Sequence, residues 1–218
     1  MKTRLLTLMS ALFALMVITT SCGSDDDGPA ENQYYWFGHE KVAIQEVKGK
    51  YRIAFHSVDK EKITSELAKQ GLSLVDVETG ISYTSEGVTE EAKKLFKDYL
   101  TATVNGDYDK IKAIKPYTFS LLPYYTLIED GRELIPYMTF DVKLKDGVTQ
   151  EQLETLATTN NVILVEKSAF LDGWYTLACT NDSKGNPVEM ANLFYKSGLC
   201  EYSQPSFGGL GELHGILR

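Results

Sequence analysis

Between residues 135 and 145 apolar and polar positions alternate, placing Met138, Phe140, Val142 and Leu144 on one face of a pleated strand. Thr149 and Gln152 then stand at capping-box spacing, where each side chain satisfies the other residue's free backbone donor. Leu153, Leu156 and Ala157 follow at helical spacing as one narrow apolar stripe, and Asn160-Asn161 ends the helix because Asn tolerates the left-handed cap. Residues 162–170 (VILVEKSAF) are rich in β-branched side chains and predict a strand. Asp172-Gly173 predicts a two-residue hairpin into a third strand over residues 174–180. Asn186-Pro187 with Glu189 starts a second helix, whose buried face is Val188, Ala191, Phe194 and Tyr195 and whose end is Gly198. Residues 199–203 form the last strand.

This order, βαββαβ, is the ferredoxin-like plan. Right-handed crossovers put both helices on one face of a four-stranded antiparallel sheet and leave the other face open. The fold class expected is therefore α+β, a ferredoxin-like sheet over residues 134–207 preceded by a looser α/β lobe over residues 34–133.

In that front lobe Tyr34-Tyr35-Trp36-Phe37 opens the folded region and Gly38-His39-Glu40-Lys41 turns it back. Val42, Ile44 and Val47 mark a returning strand, and Lys48-Gly49-Lys50 a second turn into a strand over residues 51–56. Asp59 caps a helix carrying Ile63 and Leu67 that ends at Gly71, before a strand over residues 72–77. Residues 88–100, capped by Thr89, fit one helix with Ala92, Leu95, Phe96, Tyr99 and Leu100 in its stripe, an insertion broken by Asn105-Gly106-Asp107. Residues 111–114 and 119–127 suggest strand, with Pro116 and Pro123 restricting them to an edge or bulge. No period of repetition stands out.

The N-terminus changes the cellular picture. Lys2 and Arg4 precede an apolar run over residues 5–18 that is short for a bilayer span. Thr19-Thr20-Ser21-Cys22 resembles a lipobox, with a signal peptide over residues 1–21 and Cys22 as the acylated residue. The acidic linker over residues 22–33 resembles the export tract of Bacteroidetes-type surface lipoproteins. An outer-membrane, lipid-anchored protein is the expectation, with the cell surface as the further reading. The formal net charge is −8, so a nucleic-acid partner is disfavoured by repulsion. Cys179 and Cys200 fall on the third and fourth core strands with the first between them, beyond disulfide reach, and are expected to be free buried thiols. His39, His56 and His214 show no metal-ligand spacing, no nucleophile elbow occurs, and Gly208-Gly209-Leu210-Gly211 lacks a phosphate-loop context. No cofactor, metal or catalytic residue is assigned, and residues 208–218 are expected to form a flexible tail.

Pro123-Tyr124-Tyr125, Glu129-Asp130-Gly131-Arg132-Glu133 and the strand over residues 140–145 resemble the N-terminal propeptides of subtilisin-like serine peptidases, of the fervidolysin-like type. The resemblance implies a non-enzymatic protein whose open sheet face packs on a peptidase and assists its folding. It also implies that Tyr202, Ser203, Gln204, Pro205, Ser206 and Phe207 lie in the peptidase cleft as a product-like inhibitor. No peptidase domain follows in this chain, so the partner would be bound in trans, unless the chain is the remnant of a truncated peptidase. The alternative is a surface interaction module that binds a glycan or another protein through its aromatic front half.

Overall fold

The computed structural model describes residues 34–80, 83, 87–114 and 118–208. The expected signal peptide, Cys22, the acidic linker, Pro116 and residues 209–218 lie outside the described residues. What is described is an α+β fold, with nine strands in a mostly antiparallel arrangement and five short helices among these residues.

The C-terminal half follows its local signals closely. Strand β6 (Glu133–Leu144) leads into α4 (Gln150–Thr159), β7 (Ile163–Lys167), β8 (Trp174–Ala178), α5 (Pro187–Lys196) and β9 (Cys200–Gly208). Thr149 and Gln152 make the reciprocal cap, with Thr149 N–H donating to Gln152 Oε1 at 2.9 Å. Asn186 and Glu189 form a second one at α5, and Asn161 takes the left-handed conformation after α4, at φ 53°. The spatial order is β9-β6-β8-β7, so the first strand of this half lies between the third and the fourth. Phe140, Val142, Leu177 and Phe194 are fully buried between this sheet and the two helices. Cys200 belongs to the same core, Cys179 follows directly on β8, and both thiols are free and buried.

Two boundaries differ from expectation. The turn between β7 and β8 is not a two-residue loop: it takes residues 168–173, with the Ser168 hydroxyl oxygen accepting the amides of Phe170 and Leu171. The last strand does not stop at Ser203 but runs to Gly208, pairing Asp141 with Gln204, Phe140 with Pro205 and Pro136 with Phe207.

The front half departs further. Lys48-Gly49-Lys50 is a kink inside one long strand, β2 (Glu40–Phe55), not a reversal. Gly49 at φ 75° marks an irregularity in its pairing with β5 between Glu46 and Tyr51. The short β1 (Tyr34–Phe37) folds back on β2 through Gly38 and His39. Helix α1 (Lys60–Lys69) is capped by Asp59 as expected and is followed by β3 (Ser73–Thr79). The helix predicted over residues 88–100 is only α2 (Glu90–Leu95); Asp98 sits at φ 49° and stops it, and Leu100 opens a strand, β4 (Leu100–Asn105). Residues 111–114 are not a strand. They end α3 (Tyr108–Lys112) and its cap, because the Asp107 carboxylate accepts the amides of Asp109 and Lys110 and nucleates a helical turn. The half closes with β5 (Thr118–Leu127).

With these corrections the front half is β2-α1-β3-β4-α3-β5 in the spatial order β5-β2-β4-β3. That is the order of the second half, strand for strand, with α2 inserted between its second and third strands. The repetition that no sequence period revealed is present in the topology.

The two units meet at the β5–β6 hairpin, which pairs Tyr125 with Leu134 and Thr126 with Glu133. Two rungs further, the same register would set Pro123 opposite Pro136, and neither has an N–H to donate. There the strands part, β5 staying with β2 and β6 passing to β8 and β9.

Candidate functional site

Side chains alternate across a strand, so the residues that do not face the helices face the other way. In the first unit Tyr51, Ile53 and Phe55 pack on α1 and α3, which turns Arg52 and Ala54 outward beside Thr101 of β4 and Ser120 and Leu122 of β5. In the second, Phe140 and Val142 face the helices and Thr139, Asp141 and Lys143 face out, beside Thr176 and Trp174 of β8. These two outward faces are turned toward each other. Ala54 and Leu122 of the first unit share an apolar cluster with Met138, Val165 and Ala178 of the second, and Ala92, Phe96 and Tyr99 from the inserted segment complete it. The face expected to be bare is thus partly covered by the chain's own front half. The insertion is tied down at β7, where Thr89 N–H donates to Val165 O at 2.8 Å and its hydroxyl to Leu164 O at 2.7 Å.

Beside this cluster the two faces enclose a cavity of about 370 Å³. Arg52, Thr101 and Ser120 form one wall, and Thr139, Asp141, Thr176 and Ser206 the other, with rings from Tyr83, Phe96, Tyr99 and Tyr137 between them. The volume lies in the range of small-molecule sites, which combine apolar rings with a few placed polar groups.

Its polar groups are held in position. Arg52 Nη2 donates to Glu78 Oε2 at 2.7 Å and to Thr101 Oγ1 at 3.1 Å, and the guanidinium lies over the Tyr137 ring at 5.4 Å. Burial opposes its charge, but the bonds to Glu78 and Tyr124 outweigh that and keep it above its ordinary value. Asp141 accepts from the Thr176 hydroxyl at 2.7 Å and from the Ser206 hydroxyl at 3.4 Å, and Ser206 accepts from Thr139 at 3.1 Å. Burial, with the negative field of Asp141 and Glu166, holds the Tyr83 hydroxyl protonated above its usual range, although a bond with Thr139 opposes this. The wall therefore offers a cationic donor, carboxylate acceptors and hydroxyls at fixed positions.

Of the residues assigned from sequence to a peptidase cleft, Tyr202, Ser203, Gln204, Pro205, Ser206 and Phe207 are all built into β9. Ser203, Pro205 and Phe207 point into the protein, the Ser203 hydroxyl donating to Ala191 O at 2.8 Å. Phe207 lies in the apolar cluster at the hairpin, its ring 5.4 Å from Tyr35 and 6.1 Å from Tyr125. Only Ser206 of the six lines the cavity. Arg52, Asp141 and Tyr137 went unassigned from sequence. Arg52 carried the one available signal, a lone charge between apolar neighbours in a strand. Among the described residues no three His, Cys, Asp or Glu side chains gather as a metal site, and no helix is long and apolar enough to cross a membrane.

No family model matches the chain, and no curated protein matches it. Among solved structures it is similar to the acetolactate synthase small subunit from Thermotoga maritima, at 11% identity over 72% of this chain and 92% of that chain, with a TM-score of 0.23.

Proposed function

We propose that the chain is a non-catalytic binding module, two ferredoxin-like units set face to face, and that its ligand is a glycan held in the cleft between their sheets. The cavity itself carries this reading: its paired Arg52 and Glu78, its Asp141 carboxylate and its hydroxyls suit a ligand rich in hydroxyls, while the tyrosine rings suit the apolar face of a sugar. Screening the full chain on an array of neutral glycans and titrating the hits by calorimetry tests it. Asp141→Asn and Tyr137→Ala are expected to weaken binding at least tenfold, about 1.4 kcal/mol, with the thermal midpoint little changed. An array without hits, or binding indifferent to both substitutions, rejects the cleft.

The competing reading, a subtilisin-like peptidase bound in trans, is supported by the family resemblance and predicts inhibition across a panel of such enzymes. It has to accommodate a sheet face partly occupied by the first unit and a cleft segment engaged in β9. For the site of action we propose an outer-membrane anchor through lipid on Cys22. Metabolic labelling with a fatty-acid probe is expected to mark the wild type and not Cys22→Ala; equal labelling rejects the anchor.

A further inference from the structure

The outward face of the second sheet does not end at the cavity. Lys143 pairs with Trp174 on one side and Tyr202 on the other, in the row next to Asp141, which lines the cavity with Thr176. Adjacent rows on one face of a sheet are about 7 Å apart. The rings of Trp174 and Tyr202 lie 5.8 Å apart and 18° from parallel, and His39, from the β1–β2 turn, extends the stack at 5.6 Å and 28°.

The strip is fixed from its edges. The Tyr195 hydroxyl lies 3.0 Å from His39 Nδ1, and Lys143 Nζ is 2.6 Å from Glu201 Oε2. Gly38, in the left-handed region at φ 61°, brings the turn close to Tyr202: a Cβ there would stand 3.5 Å from the ring. Trp174 and Tyr202 are half-buried and His39 is exposed, so rings whose orientation is set by the protein still reach solvent. Ring pairs of this kind add to sheet stability wherever they occur. Here they also continue a cleft lined by fixed hydrogen-bonding groups.

Resting on the cleft reading, we infer that this strip is a second subsite, and that the protein takes an oligosaccharide chain rather than a single sugar. One ring enters the cavity, and the next lies against the outer face of Trp174, which Tyr202 and His39, stacked behind it, hold in place.

The test titrates the full chain with neutral gluco- and manno-oligosaccharides, from a single ring up to five. Affinity is expected to rise about tenfold between the single ring and the longer chains, the effect of one added stacking contact. Trp174→Ala and Tyr202→Ala are expected to remove that gain, and Trp174→Phe to restore part of it. Far-ultraviolet circular dichroism checks the fold of each variant, and His39→Ala, at the exposed end of the strip, reads the same gain should either larger substitution fail to fold. Equal affinity for short and long chains, or a gain that survives the substitutions, overturns the second subsite while leaving the cleft intact. Absence of binding at every length rejects the cleft reading and this inference together.

Discussion

A chain ended at Ser203 is expected to lose most of its stability, not merely a terminal segment. The missing residues include four that pair with β6: Gln204 with Asp141, Pro205 with Phe140, Phe207 with Pro136 and Gly208 with Ile135. Phe207 is 6% exposed in a cluster with Tyr35, Ile44, Tyr125, Leu127 and Leu134, where both units meet. Truncating a buried Phe to Ala typically costs about 3–5 kcal/mol, and a domain holds only about 5–15 kcal/mol in all. Loss of the paired strand adds to that cost and exposes the β6 edge. Urea denaturation followed by circular dichroism is expected to show a large fall in midpoint for the chain ending at Ser203 and little change for one ending at Gly208. Equal midpoints would show that β9 contributes nothing after Ser203. The result also limits what truncation says about a peptidase partner: lost inhibition would follow from lost folding, so side-chain substitutions are the cleaner probe.

The second unit was legible because its punctuation is local. Thr149 with Gln152, Asn186 with Glu189, and Asn161 each satisfy backbone groups within a few residues, so the elements between them could be placed without tertiary information. In the first unit the decisive features are not local. Tyr99 and Leu100 continue the helical period of residues 88–96, but Asp98 turns left-handed. Tyr99 is then held by the Gly80 amide donating to its carbonyl at 2.9 Å, and Leu100 pairs with Phe55 and Thr79. Only strand partners far along the chain turn that stretch into β4. Ile111 and Ile114 fit an alternating pattern poorly and a helical one adequately; the Asp107 cap was the signal that should have decided it. The site was less legible still. Arg52 and Asp141 are separated by about half of the described chain and line one cavity because the two prolines at the hairpin split one sheet into two facing ones. The open face inferred for one unit alone took no account of a second unit built to the same plan.

Alkaline solution is expected to unfold the protein well before its backbone is at risk, chiefly through the two thiols. Burial pushes Cys200 from 9.0 up to about 12, against a smaller opposing effect of Lys145, and pushes Cys179 up as well, where a bond from Ser183 opposes it only in part. Tyr35 rises from 10.0 to about 12 and Tyr125 rises too, again mainly through burial. All four are neutral when protonated, so the folded state keeps protons that the unfolded chain releases. Their stabilising contribution is complete below 9.0 and is lost as pH climbs from 9.0 toward 12. By pH 10.5 the loss from Cys200 alone amounts to about 2 kcal/mol at 1.36 kcal/mol per pH decade, and the loss from Tyr35 to about 1 kcal/mol. Cys200 is 2% exposed, so solvent screening does little to reduce it. With Cys179 included, the fall approaches the lower end of a typical domain's whole stability. Urea midpoints measured from pH 8 to pH 11 are expected to drop steeply above 9.0, and a Cys179→Ala/Cys200→Ala double variant to show a shallower slope whatever its stability at pH 8. The slopes, not the starting values, decide the matter, since removing two buried sulfurs also leaves small cavities. Parallel slopes for wild type and double variant would mean that the thiols ionise without unfolding the core they share with Phe140 and Phe194.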